Sequence, residues 1–171
     1  MSYRIRPATL TDEPGIYEVY RAAARQGKGI LRREDEVTHD YIRYGLENAL
    51  RIGISLVAAD DDGRILGDIH AWPSETRQLG HCLGNTTIAV NPAAQGRGVG
   101  RALFEGLIAA ARATPKFRII ELFCREDNQR AIDLYQSLGF TFEGRLKGRV
   151  WQEHGPYLDD LVMALHLTKD A

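Results

Sequence analysis

Gln95-Gly96-Arg97-Gly98-Val99-Gly100 is the stretch whose residue types and spacing most directly imply chemistry. It follows an apolar run, Thr86-Thr87-Ile88-Ala89-Val90, and opens a helical pattern from Val99 to Thr114. A strand, a glycine-rich turn and then a helix present unpaired backbone N–H groups and a positive helix end to a phosphate. Spelling separates the candidate phosphates. A nucleotide-hydrolase loop needs G-x-x-x-x-G-K-[ST], but Gly100 is followed by Arg101 and Ala102. The dinucleotide fingerprint G-x-G-x-x-G fails as well, because its third glycine falls on Leu103 or Arg101. What remains is Q-x-x-G-x-G. Glu121 is the other conspicuous group, a carboxylate interrupting Ile119-Ile120-Glu121-Leu122-Phe123. Such a residue is functional, paired with a cation, or at a sheet rim.

The elements that must hold these groups are legible from periodicity. Tyr3 to Arg6 alternates like a strand. Asp12 begins a helix to about Ala24, ended by Gln26-Gly27-Lys28-Gly29, and a second helix spans Thr38 to Leu50. Two strands, Ile54 to Ala59 and Ile65 to Ala71, flank Asp60-Asp61-Asp62-Gly63, a hairpin signal. After the phosphate strand and its helix come a strand from Ile119 to Cys124 and a helix from Asn128 to Leu138. In that helix Ala131, Leu134, Tyr135 and Leu138 share one face, and Gly139 is placed for a left-handed C-cap. The chain then reads as a strand from Phe140 to Glu143, a loop, and a strand from Leu158 to Leu167. The expected fold is α/β: a mixed, mostly antiparallel central sheet with helices on both faces. Its one parallel pair spans the strand–helix–strand unit.

The glycine turn, followed by Asn128-Gln129-Arg130-Ala131-Ile132-Asp133-Leu134-Tyr135-Gln136-Ser137-Leu138-Gly139-Phe140, resembles the GCN5-related N-acetyltransferase superfamily. The close match runs from about Thr86 to Phe140. Weaker likeness reaches Ile5 to Thr9 with Asp12 at one end, and Gly155 to Asp159 with Met163 at the other. The resemblance implies the acyl-CoA N-acyltransferase fold and acetyl-CoA as co-substrate, with no metal. Gln95, Gly96, Arg97, Gly98, Val99, Gly100 and Arg101 would then surround the pyrophosphate. Val90 would offer main-chain groups to pantetheine, paired like an added strand where the sheet splays at a bulge. The N–H of Ile88 would face the thioester oxygen. Asn128 would contact the pantetheine arm or an ordered water, and Ala131 the cofactor, with Asn128 or Asp127 capping the helix.

The implied reaction is direct attack of a primary amine on the thioester. It needs a base for an ammonium of pKa near ~10, donors for the oxyanion, and an acid for the departing thiolate. Tyr135 occupies the position of the acid. The base does not carry over. Histone-type members place a glutamate where this chain has Gly84, and the ribosomal-protein type where it has Phe123. Glu121 is the nearest substitute, two residues from Phe123 and facing the same way on a strand. Asp68, His70, His81 and a water chain are the other candidates. Glu34-Asp35-Glu36 lies where the family's substrate loop sits, but Arg32 and Arg33 adjoin it, as in a solvated surface. Glu153 to Tyr157 is a second segment that would overhang the acceptor cleft.

Composition excludes other classes. The chain has 171 residues, 22 Lys and Arg against 23 Asp and Glu, which suits one domain over 1–171 with its own core. There is no basic stripe for nucleic acid and no apolar run that spans a membrane. Met1 to Arg6 reads as a strand and not a leader, and Cys82 and Cys124 have neither metal nor disulfide spacing. A cytoplasmic enzyme acting on a small-molecule or peptide amine is the expectation, and dimerisation is common on this fold. Likeness to the phosphinothricin-type subgroup is weaker, departing in the final strand. The rival expectation is a non-catalytic acyl-CoA-binding module on the same fold, which would need the glycine turn but neither acid nor base.

Overall fold

The computed structural model describes residues 2–27 and 29–167. Lys28, in the expected break after the first helix, lies outside them, as do Met1 and residues 168–171. Among the described residues seven strands form one sheet: β1 (Tyr3–Pro7), β2 (Ile54–Asp60), β3 (Ile65–Pro73), β4 (Cys82–Val90), β5 (Ile119–Arg125), β6 (Thr141–Val150) and β7 (Leu158–His166). Their order across the sheet is β1-β2-β3-β4-β5-β7-β6. Every neighbouring pair is antiparallel except β4 and β5, as the sequence implied. The helices are α1 (Glu13–Arg25), α2 (His39–Ile52), α3 (Val99–Ala113) and α4 (Gln129–Ser137).

Two apolar clusters sandwich the sheet. On one face Leu103, Phe104 and Leu107 of α3 meet Ile69, Leu83, Ile120 and Leu122. On the other, Ile16, Val19 and Tyr20 of α1 and Ile42 and Leu46 of α2 cover Val57, Ala59 and Ala89. The strands of this half alternate between the two clusters because both of their faces are covered. Under α1 and α2 lies a closed polar group. Asp68, fully buried, accepts from the Tyr20 hydroxyl at 3.0 Å and lies 2.8 Å from His70 Nδ1. Burial, with Asp68 close by, pushes the Tyr20 phenol well up.

Local chemistry sets the helix starts. Thr38 caps α2 by accepting from the Tyr41 N–H at 3.1 Å. Ahead of α1, Arg6 grips Asp12 through two bonds of 2.8 and 2.6 Å, and Asp12 also accepts from the Thr9 amide at 2.8 Å. The Arg6 pairing, chiefly, holds the Asp12 carboxyl below its usual range. Asp12→Asn is expected to lower unfolding stability by about 1–2 kcal/mol, the pair being partly screened by solvent. The sign follows from the lowered pKa. The contribution is complete above the unfolded carboxyl value of about 3.9 and is lost as pH falls through the lower folded value. Denaturant melts of both proteins should therefore converge toward acid pH.

Two expectations about strands are corrected. The strand placed at Phe140 to Glu143, with a loop after it, runs instead to Val150, and β4 begins at Cys82 rather than Thr86. β6 has no apolar period because nearly all of it is exposed. It persists because β7 pairs with it from Thr141↔Ala164 to Val150↔Leu158, with register shifts between Phe142 and Gly144 and between Leu146 and Val150.

Candidate active site

β4 and β5 part almost as soon as they meet. They pair only at Cys82↔Ile119 and Leu83↔Ile120, beyond which β4 has a free edge on that side. A bulge lies at the divergence. The β3–β4 register slips between His70 and Trp72, and Asn85 adopts φ +47°. One extra residue on β4 bends it away from β5. The Asn91 amide donates to Leu66 O at 2.8 Å, so it faces β3. Alternation along the strand then turns the amides of Val90 and Ile88 to the open edge. The Val90 carbonyl faces the same way, accepting from Gln95 Nε2 at 3.5 Å.

Against this edge lies a cleft of about 890 Å³. Ile88 and Val90 line it, with Gln95, Gly96, Gly98, Val99, Gly100 and Arg101 at its phosphate end and Asn128, Ala131, Leu134 and Tyr135 along its far wall. Gly96 and Gly98 take φ +77° and +82°, the left-handed region open to glycine. Gly98 is the N-cap of α3 and supplies no side chain to it. The first intrahelical bond comes from Ala102 to Gly98 O, at 3.0 Å. The amides of Val99, Gly100 and Arg101 therefore have no partner within the helix and stand at its positive end. Arg101 bonds Ser137 Oγ at 2.6 Å, which joins α3 to α4 across this end of the cleft. Arg97 does not line the cleft, and its carbonyl accepts from the Tyr3 hydroxyl at 3.4 Å.

The far wall is α4. Asn128 is its N-cap, accepting from the Ala131 amide at 3.3 Å, while Asp127 is held by Arg125 at 2.8 and 2.6 Å. Sequence left that choice open. Tyr135 is only 8% exposed, its ring edge-on to Phe104 at 5.1 Å and tilted against Phe140 at 6.0 Å. Burial pushes its phenol far above the ordinary value. Its hydroxyl makes no hydrogen bond to another described residue. Sequence reasoning missed Ala23 and Gln26 at the end of α1 and Ile30 in the segment after it, which close the cleft. Gln26 accepts from Gln95 Nε2 at 3.1 Å, a contact between residues 69 positions apart that no local pattern reveals.

Glu121 is not part of this cleft. Ile120, Leu122 and Cys124 point into the α3 cluster, so Glu121 faces the opposite side of the sheet, where β4 and β5 begin to part. It is half-buried and has no ion-pair partner among the described residues. A side chain on Gly84 would start 3.8 Å from Glu121 Oε1. The carboxylate thus faces position 84, where histone-type members carry a glutamate. The Cys82 thiol beside it is pushed up, first by burial and then by the Glu121 charge.

The other base candidates are placed less favourably. Asp68 and His70 belong to the closed group under α1 and α2, and His81 is exposed ahead of β4. The acidic patch is engaged internally. Glu34 pairs with Arg21 and, at 2.8 Å, with Arg25, and these arginines keep its carboxyl below the usual range. Arg33 bridges to Glu153 at 3.0 Å, so the two segments expected to overhang the acceptor side do meet. Among the described residues no group of three or more His, Cys, Asp or Glu could hold a metal ion, and no helix is long and apolar enough to cross a membrane.

Comparison with known proteins agrees with this geometry. Residues 14–140 match the model of the acetyltransferase (GNAT) family. The chain is 30% identical over 170 residues to an L-methionine sulfoximine/L-methionine sulfone acetyltransferase of Pseudomonas aeruginosa, covering 98% of this chain and 96% of that one. It is 28% identical over 154 residues to the phosphinothricin N-acetyltransferase of Alcaligenes faecalis, covering 89% and 76%. The likeness to the phosphinothricin type is therefore broader than the motifs suggested. An acetyltransferase structure from Salmonella typhimurium, solved with acetyl-CoA, superimposes with a TM-score of 0.86 at 26% identity over 100% of this chain and 97% of its own. With an open β4 edge beside an α3 start that no side chain caps, the chain belongs to the acetyltransferase (GNAT) family.

Proposed function

We propose that this chain moves an acetyl group from acetyl-CoA to the primary amine of a small molecule by direct attack. The observation that carries the reading is the convergence, in one cleft, of the free α3 amides, the open edge of β4 and the Tyr135 hydroxyl. A long, jointed ligand with a diphosphate near one end and a thioester at the other fits that sequence of groups. The two curated relatives are named for small amines, which supports the acceptor class.

Bound there, acetyl-CoA supplies an activated acetyl group. The amides of Val99, Gly100 and Arg101 hold the diphosphate without a counter-charge of their own. The Val90 backbone pairs with the pantetheine arm, and the Ile88 N–H is directed at the oxygen that gains charge. Tyr135 donates to the sulfur. Glu121, on the other side of the parted strands, accepts the proton of the incoming ammonium, directly or through water. A thiol-release assay over polyamines, amino acids, aminoglycosides and peptide N-termini tests the reading. Release with none of them, despite coenzyme A binding, would sink it.

A binding prediction follows at Gly100. A Cβ there meets only ordinary contacts, 3.7 Å from Val90 Cγ2 and 3.9 Å from Leu134 Cδ2, so Gly100→Ala is accommodated. Both neighbours line the cleft. The branched side chain of Gly100→Val projects into it beside the α3 amides. The expected result is an unchanged melting temperature with coenzyme A affinity down about tenfold or more, since roughly 1.4 kcal/mol of lost contact suffices. Calorimetric titration beside a thermal melt separates the two effects.

A further inference from the structure

On the side of the sheet away from α3 and α4, helices α1 and α2 pack on β2, β3 and β4. The same face of β5 and β7 carries Glu121, Phe123, Arg125, Asp160 and Val162, as the pairs Phe123↔Val162 and Arg125↔Asp160 show. Phe123 is 43% exposed in the middle of its strand, so one face of its ring is open to a neighbouring group. Over it lies a cation, with Arg149 Cζ 4.7 Å from the ring centroid. Arg149 Nη1 also stands 3.7 Å from Asp160 Oδ2. Asp160 is 2% exposed, and its Oδ1 has no hydrogen-bond partner among the described residues.

This is a held guanidinium. Its face rests on an aromatic ring, and one edge is drawn toward a buried carboxylate at more than hydrogen-bond distance. Arg149 is itself half-exposed, and no described residue accepts a hydrogen bond from it. A long side chain fixed at two points, with free N–H donors, is organised to receive a planar anion. Its place on the sheet says whose anion. Phe123 is two residues along β5 from Glu121 on the same face, a spacing of about 7 Å. The proton acceptor and the cation therefore flank one stretch of the acceptor side.

We infer that Arg149, seated on Phe123 and anchored by Asp160, is the acceptor-specificity residue and receives a carboxylate carried near the amine being acetylated. Asp160 is a positioning residue that reaches the acceptor only through Arg149. This rests on the acetyl-transfer reading above and adds to it the class of acceptor: amino-acid-like molecules rather than simple amines or polyamines. A polyamine would bring positive charge to Arg149, which repels it.

The test compares L-amino acids, each run beside its decarboxylated amine, with the readout being the ratio of the two kcat/KM values. The wild type should favour the amino acid. Arg149→Gln should reduce that ratio about 10- to 100-fold, mostly through KM for the amino acid, the range expected for a charge-assisted hydrogen-bonded pair. Arg149→Lys should recover part of the ratio, because it restores charge without the planar fork. Asp160→Asn should lower the ratio less than Arg149→Gln does, and thermal melts check that each variant is folded. A ratio near one in the wild type, or a ratio unmoved by Arg149→Gln in a folded protein, overturns the inference while leaving acetyl transfer intact. Absence of turnover on both members of every pair is a different result. It removes the acetyl-transfer reading, and this inference with it.

Discussion

Tyr135→Phe is expected to lower kcat by about 10²-fold or more, the usual range for loss of a positioned proton donor, with coenzyme A affinity and melting temperature nearly unchanged. The separation follows from what the side chain touches. Its ring contacts with Phe104 and Phe140 survive in phenylalanine, and the hydroxyl leaves no described residue without a partner when it goes. The direction of its pKa also says what kind of donor it is. Burial, first, and the neighbouring Cys124 hold the phenol far above its ordinary value, so it keeps its proton throughout the working pH range. A free thiol has a pKa near 8.5, so complete proton transfer from such a phenol to a thiolate runs uphill. The favourable act is a hydrogen bond from this buried hydroxyl to the sulfur as charge develops there. The alkaline limb of the wild-type pH–rate profile should therefore not report Tyr135. Thiol release and calorimetric titration of coenzyme A check both halves. Equal turnover in the two proteins would remove Tyr135 from the chemistry, whereas a module that only binds acyl-CoA would show turnover in neither.

The half of the molecule that meets the donor was legible because its signals are local. The strand, glycine turn and helix around Gln95 lie in one short run, and Asn128 to Gly139 carries its cap, apolar face and C-terminal glycine in another. Gly139 does take the left-handed conformation, at φ +93°. What the sequence did not display depends on pairings between distant segments. The end of the β4–β5 ladder at Leu83 and Ile120 opens the cleft. Its local signs are Gly84-Asn85 and Glu121, poor strand residues just past the last pair, but they do not say which strands part. The alternation that marks β6 ends at Glu143, because Arg145, Lys147 and Arg149 give no apolar period, and pairing with β7 keeps the chain extended beyond it. The acceptor side suffered most. Phe123, Arg149 and Asp160 come from three strands whose adjacency is a property of the sheet. In the sequence Phe123 was merely a position where a glutamate was missing.

Glu121→Gln should reduce kcat/KM at pH 7 by about 10²–10⁴-fold, as expected for a general base, without loss of coenzyme A binding, since Glu121 lies outside the donor cleft. The ion-pair explanation for a carboxylate in this apolar run finds no support, because no cation among the described residues pairs with it. The pH dependence carries the sign of the argument. With an amine pKa near ~10, only about one acceptor molecule in a thousand is uncharged at pH 7, and that fraction rises about tenfold per pH unit. The variant should therefore regain activity as pH rises, and its deficit against the wild type should shrink toward pH 9. Position 84 offers a second check. A Cβ there starts 3.8 Å from Glu121 Oε1 and meets nothing closer, so Gly84→Glu in the Glu121→Gln background returns a carboxylate to the same space from the facing strand. Partial recovery at pH 7 would mean that the reaction needs a carboxylate in that space and not a particular strand to carry it. A fall of less than threefold in Glu121→Gln, unaffected by pH, would instead assign the proton to water alone.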